Sequence, residues 1–276
     1  MSGARASVAG MVTLGCIANP EELSPAQLLD VARAADAAGL EELWLWEDCF
    51  KESGVAAAGA ILAATSRLRV GLGVLPVPLR NVALTAMELG TLAGMFPGRL
   101  VPGVGHGVQS WMEQVGARVA SPLTLLREHV TALRALLAGE RLSVRGRYVT
   151  LDDVALDWPP ASPPPVLAAG QGPRTLRLVG EVADGVVLTG GTMPDDVRRA
   201  LELVAEGRSA AGRGGPFAVC TFVVLPPPVR AQGAQATADH LRAWADAGTT
   251  TVAVLPVDGD PVAVAAWLGE EVRPLL

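Results

Sequence analysis

Val166-Leu167-Ala168-Ala169-Gly170-Gln171-Gly172-Pro173-Arg174-Thr175-Leu176-Arg177-Leu178-Val179-Gly180-Glu181-Val182-Ala183-Asp184-Gly185-Val186-Val187-Leu188 is one full period of the pattern that decides the fold. Val166–Ala169 is a short apolar run that ends on glycines, as a buried strand does where it meets a loop. Pro173 then opens a helix running to Val179, at the position where its missing N–H is not needed. Gly185–Leu188 is a second short apolar run. Strand, helix and strand in this order place the two strands parallel, with the helix as the crossover.

The same period repeats in both directions. Upstream, the first strand is read at Met11–Ile17, followed by a helix with the capping box Ser24-Pro25-Ala26-Gln27 and a stop at Gly39. Glu42–Trp46, a helix from about Val55 to Thr65, and Leu68–Val74 come next; Asn81 opens a helix to about Met95, and Arg99–Gly103 is the fourth strand. Ser121-Pro122 begins a helix ending near Gly139, and Ser143–Leu156 reads as a small hairpin turning at Gly146. Downstream, a helix spans Pro194 to about Ala211, then Phe217–Leu225, Ala231–Ala247, Thr251–Leu255 and a last helix starting at Pro261. Eight alternations make a closed (β/α)8 TIM barrel the economical answer, an open doubly wound sheet being the alternative. Residues 1–276 are read as one barrel domain with a hairpin insertion near 143–156. The proline-rich Pro159–Pro165 is taken as a loop, because no change of composition follows it.

Composition agrees with a large buried parallel sheet: half the residues are hydrophobic and 18% are charged, which excludes disorder. No apolar run approaches the length of a membrane helix and no leader pattern opens the chain, so a soluble, cytoplasmic protein without a membrane partner is expected. Cys16, Cys49 and Cys220 are widely spaced without CxxC, which argues against a disulfide framework or zinc, and no metal is expected. A net charge of -6 without a basic stripe disfavours nucleic acid, leaving a small molecule as the expected partner.

Both candidate folds bind ligands beyond the C-terminal ends of their strands. There, Gly103-Val104-Gly105-His106-Gly107 and Ala168-Ala169-Gly170-Gln171-Gly172-Pro173-Arg174 are glycine-rich. Glycines admit a bulky ligand close to the backbone, and the amides opening the following helix can meet a phosphate; a plain tight turn is the other reading. The first motif is not a dinucleotide fingerprint, since its third glycine falls too early. Strand two ends in Trp44-Leu45-Trp46-Glu47-Asp48-Cys49, bringing two acids and a thiol to the rim. Cys49 is a candidate nucleophile with His106 as its base, or else a small packing residue. Asp48 is a candidate positioning acid, and His129 and His240 read as ordinary helix residues. Trp111 is expected to wall a ligand, while alternation divides Trp44 and Trp46 between core and mouth; core packing is expected for Trp158, Trp244 and Trp267.

Two stretches carry a family resemblance. Arg67–Val74 with Arg80-Asn81, Gly94–Leu100 and Gly103–Gly107 form the first, and Gly172–Gly185, with its Gly-Glu-x-Ala-Asp-Gly element, forms the second. Together with Ala247-Gly248 they resemble the bacterial luciferase-like superfamily over nearly the whole chain, in its coenzyme F420-dependent branch. The resemblance implies a barrel-mouth cofactor, F420 or alternatively FMN, and a hydride-transferring oxidoreductase acting on a small organic substrate. An FMN-dependent monooxygenase and a non-catalytic flavin-binding barrel are the alternatives. It further implies a cis peptide at Gly73-Val74 behind the cofactor ring, and contacts from Gly105, His106 and Gly107. Ala169, Gly170, Gln171, Gly172 and Pro173 would cradle the phosphate, with Arg174 or Arg177 adding charge. Asp48 would lie near the ring; Asp48, Cys49 and His106 are the catalytic candidates, His106 or Asp48 as proton donor. Sugar-phosphate-oxidising relatives have a histidine where Cys49 stands and an acid where Val108 stands, so that activity is not expected. A homodimer is also implied, with the Ala-rich helix Ala56–Ala64 packing on a partner or on the barrel.

Overall fold

In the computed structural model residues 12–276 are described, so the expected strand start at Met11 lies outside the described residues. The chain runs β1 (Thr13–Ile17), α1 (Pro25–Ala37), β2 (Glu42–Leu45), α2 (Gly54–Ala64), β3 (Arg69–Pro76), α3 (Val82–Met95), β4 (Leu100–Gly105), α4 (Gln109–Gln114) and α5 (Pro122–Leu137). A hairpin of β5 (Leu142–Arg145) and β6 (Thr150–Val154) follows. The second half comprises β7 (Leu167–Ala169), α6 (Pro173–Val182), β8 (Gly185–Leu188), α7 (Pro194–Ala210), β9 (Ala218–Leu225), α8 (Pro227–Arg230), α9 (Ala234–Asp246), β10 (Thr251–Pro256) and α10 (Pro261–Trp267).

Eight parallel strands close in the order β1-β10-β9-β8-β7-β4-β3-β2, with the hairpin outside the ring. Closure is made by β1 on β10, Thr13 beside Thr251. The open-sheet alternative is thereby removed. Local signals set the helix starts: the Gln27 side chain accepts from Ser24 N–H at 2.9 Å, and Asn81 accepts from Ala83 N–H at 2.9 Å. Buried Leu, Val, Ile and Ala side chains between strands and helices form the larger core, and a smaller cluster including Ile17, Trp44, Val101, Leu167, Val187 and Phe222 fills the barrel itself.

The Gly-Glu-x-Ala-Asp-Gly element has a packing reason. A Cβ on Gly180 would lie 2.1 Å from Val204 O, and one on Gly207 would lie 2.0 Å from Arg177 O, so α6 and α7 touch backbone to backbone. Asp184 accepts from Arg134 at 2.8 Å, Arg213 at 2.8 Å and Val166 N–H at 3.1 Å, tying the start of β8 to α5 and β7. A Cβ on Gly185 would meet Ala218 O at 2.6 Å.

Some expectations need correction. The loop after β4 contains the extra helix α4, and the helix read at Ala231–Ala247 is α9, starting at Ala234 and preceded by the further short helix α8. Trp158 is 90% exposed rather than core, because it sits in the turn between the hairpin and the proline-rich loop. Trp44 and Trp46 are two residues apart, hence on one face of β2; they differ in height along the barrel rather than in face. On α2, Ala58, Ile61 and Leu62 pack inward while Ala56, Ala60 and Ala63 are exposed.

Candidate active site

A cavity of about 530 Å³ opens at the C-terminal ends of the strands, within the range of small-molecule and cofactor sites. Every barrel strand except β1 contributes to its lining at or just beyond its end: Trp46, Glu47 and Asp48 after β2, Gly73, Val74 and Pro76 from β3, and Gly105–Val108 with Trp111 after β4. Ala169–Gly172 and Thr175 come from β7 and α6, Thr189 and Gly190 from β8, Phe222 from β9 and Leu255 from β10. Trp44, stacked edge-on against Phe222 with centroids 5.7 Å apart, closes the floor. Its indole N–H donates to Glu42 at 2.8 Å, which also pairs with Arg69 at 2.9 Å, so the carboxylate under the floor is satisfied.

Glycines shape the walls in two ways. At Gly73 an added Cβ would strike Phe222 at 2.6 Å and Trp44 at 3.0 Å, and at Gly105 it would strike Val74 at 2.6 Å. These positions are glycine because the floor is packed tightly. At Gly172 an added Cβ meets nothing within 4 Å, and at Gly190 only Val224 at 4.0 Å, so there the missing side chain leaves open space. Gly172 is the N-cap residue of α6, and no side chain caps that helix. The Gly73–Val74 peptide is cis, and so is Cys49–Phe50.

Trp46 Nε1 and His106 Nδ1 are buried beneath the lining rather than open to the cavity; the Trp46 indole faces the Asp48 carboxyl, and His106 faces the Pro122 backbone. On its other side His106 Nε2 lies 3.5 Å from the Thr175 hydroxyl. Burial pushes His106 below 6.5, which makes it neutral at pH 7. Burial, and next the charge of Glu21, push the Asp48 carboxyl above its usual range. Glu47, by contrast, is engaged: it accepts from Arg80 at 2.6 Å and from Gly54 N–H at 2.8 Å.

The structure thus brings Asp48, Gly73, Val74, Gly105, His106, Gly107, Ala169, Gly170, Gln171 and Gly172 to one cavity. Pro173 lies next door, in a groove between the starts of α6 and α7 that shares Gly170, Gln171 and Gly190 with it. Arg174 is exposed on the first turn of α6, whereas Arg177 turns toward α7 and pairs with Glu206 at 2.6 Å. Cys49 is not among the lining residues and is not hydrogen-bonded to His106. Burial and the neighbouring Glu47 and Asp48 charges raise its thiol, the opposite of what a nucleophile needs. Phe222 and Leu255 were not singled out from the sequence. Register holds the missing signal, since Cys220 and Phe222 alternate inward along β9, but inward positions of an apolar strand are visible only once its neighbours are known.

The site fits a flat, phosphorylated ring system: a cavity over Gly73–Val74 walled by Trp46, Trp111 and Phe222, with uncapped amides at the start of α6. Residues 8–270 match the family described as luciferase-like monooxygenase. A 5,10-methylenetetrahydromethanopterin reductase of Methanolobus tindarius is 32% identical over 183 residues, 66% of this chain and 55% of that one. An F420-dependent glucose-6-phosphate dehydrogenase of Nakamurella multipartita is 30% identical over 217 residues, 73% of this chain and 63% of that one. The matches therefore span 55% and 63% of the length of these two curated relatives. An F420-dependent secondary alcohol dehydrogenase solved with an F420–acetone adduct superposes with a TM-score of 0.86 at 19% identity, covering 97% of this chain and 100% of that one, which shows a shared fold.

Proposed function

The chain belongs to the luciferase-like monooxygenase family, and from that premise we propose that it is an oxidoreductase transferring hydride between the deazaflavin coenzyme F420 and a small organic substrate. The observation that carries this reading is the open space in front of Gly172 and Gly190, continuous with a cavity whose back wall is Gly73–Val74. The dehydrogenase relative named for F420 supports the deazaflavin over FMN.

The amides of Gly170, Gln171 and Gly172 and the first turn of α6 would hold the phosphate, with helix dipole and Arg174 adding positive potential. Gly73, Val74 and Trp46 would support and flank the ring. When bound, the deazaflavin supplies or accepts the hydride. The chain's own work is to exclude water from the reacting face with Trp46, Trp111 and Phe222, and to handle the accompanying proton. For that, Asp48 and His106 are suited. One is an acid held protonated to higher pH than usual, and the other an imidazole kept neutral, so their environments move the two titrations toward each other. Cys49 and Val108 stand where sugar-phosphate-oxidising members have a histidine and an acid, so this chain is assigned a different substrate.

The test is titration of the purified chain with F420 and with FMN, followed by mixing the reduced cofactor with a panel of acceptors. Saturable binding of F420 and its reoxidation by one acceptor class are expected. Tight FMN binding without a response to F420 would replace this reading with the monooxygenase one, and F420 binding without turnover would leave a carrier.

A further inference from the structure

The side chains around the cavity restrict what can be reduced or oxidised in it. We propose that the substrate is an uncharged, largely apolar molecule without phosphate or carboxylate groups; this rests on the barrel-mouth cavity being the reaction site.

Three observations converge. First, no lysine or arginine is among the described residues lining the cavity, so an anionic substrate group would lose its hydration without gaining an ion pair there. Second, the charge that remains is negative. Glu47 is neutralised by Arg80, which also pairs with Glu88 at 3.1 Å, but Asp48 makes no ion pair within 4 Å among the described residues and feels the charge of Glu21 more than that of Lys51. Positive potential is confined to the opposite side, at the start of α6, where the amides are assigned to the cofactor. Third, the surfaces around the substrate are apolar inside and out. Trp46, Trp111 and Phe222, the side chains assigned to shielding the reacting face, line the cavity, and beyond it Phe50 is 66% exposed and Val257 46% exposed, in the segments following β2 and β10. An apolar substrate that fills the cavity covers the large apolar side chains on its lining, and one that extends over the lip also covers Phe50 and Val257.

Apart from the two carboxylates, the polar side chains on the lining are few, His106, Gln171, Thr175 and Thr189, and they suit one or two acceptor atoms, such as a carbonyl oxygen or ring nitrogen.

The experiment uses the cofactor-free chain and isothermal titration calorimetry with three probes sharing a naphthalene body: methyl naphthyl ketone, naphthoate and naphthylmethylammonium. The ketone is expected to bind at least tenfold more tightly than naphthoate, a difference of about 1.4 kcal/mol. Asp48→Asn is expected to narrow that gap, and Trp46→Ala to weaken the ketone at least fivefold while the circular dichroism spectrum is retained. Naphthoate binding as tightly as the ketone overturns the proposal; so does ketone binding that ignores Trp46→Ala, or no binding by any probe up to millimolar concentration. Titrating F420 into the same protein keeps the two readings apart: failure there removes the cofactor assignment without altering the order of the probes.

Discussion

His106 and Gly172 are the single positions on which the chemistry turns. His106 is half-buried, held below its ordinary titration by burial, and linked to the Pro122 backbone and loosely to Thr175, so replacing it with phenylalanine removes a polar edge while keeping an aromatic ring in place. Turnover of the F420-loaded enzyme is expected to fall about 10²–10³-fold with cofactor affinity changed less than threefold, measured by steady-state kinetics and fluorescence titration. Asp48, raised by burial and by Glu21, stays protonated further up the pH scale than an ordinary carboxyl. Substrate reduction, which consumes a proton, is therefore expected to slow as pH rises through that shifted titration, and Asp48→Asn to flatten the profile. At Gly172 the backbone angles, φ -78° and ψ 151°, suit any residue, and an added Cβ meets open space. Gly172→Val is accordingly expected to leave the melting temperature within about 2 °C and to weaken F420 binding at least tenfold, because its methyls occupy the phosphate cradle.

Among the elements, the contact between α6 and α7 is the least forgiving. Gly180 and Gly207 let the helix backbones meet, and a methyl at Gly180 would lie 2.1 Å from a carbonyl oxygen that cannot move without its helix. Gly180→Ala is expected to cost about 3 kcal/mol in denaturant unfolding, at the upper end of ordinary overpacking, and to displace the start of α6 from the cavity. Elsewhere a side chain does the joining. Asp36, near the end of α1, accepts from the N–H groups of Ser66, Arg67 and Leu68, at 2.9, 2.9 and 2.8 Å, in the turn leading into β3. Burial by itself would raise its carboxyl, but these bonds and the Ser66 hydroxyl together outweigh it and hold it at about 2. The hairpin is fastened similarly, since Glu128 on α5 accepts from the N–H groups of Arg147, Tyr148 and Val149.

Over the whole molecule, stability is tied to pH through a histidine outside the site. His129, on the inner face of α5, is 1% exposed, and burial lowers it to about 4. The folded chain then refuses a proton that the unfolded chain accepts between about pH 6.5 and 4, so the stability linked to His129 is complete above 6.5 and is lost as pH falls toward 4. About 3 kcal/mol of global stability is expected to disappear across that window, read from urea midpoints at a series of pH values. His129→Leu is expected to make the dependence shallower in the same measurement. Among the described residues no helix is long and apolar enough to cross a membrane, and no group of acidic, histidine and cysteine side chains is arranged to hold a metal.

The alternation of strands and helices, the parallel sheet and the glycine-rich strand ends were determined by the sequence alone, because periodicity, helix caps and turn residues act over a few positions, whereas closure of that sheet into a barrel was decided by the tertiary structure. Gly170–Gly172 and Gly105–Gly107, which line the cavity, were legible as rim residues for the same reason. The tertiary structure also decided which side chains share the cavity. Phe222 and Leu255 enter through the register of β9 and β10; Arg177 leaves through the rotation of α6 against α7; Cys49 lies past the end of β2, outside the lining. Facing across a barrel depends on closure between strands as far apart in the chain as Thr13 and Thr251, and no local signal encodes that distance.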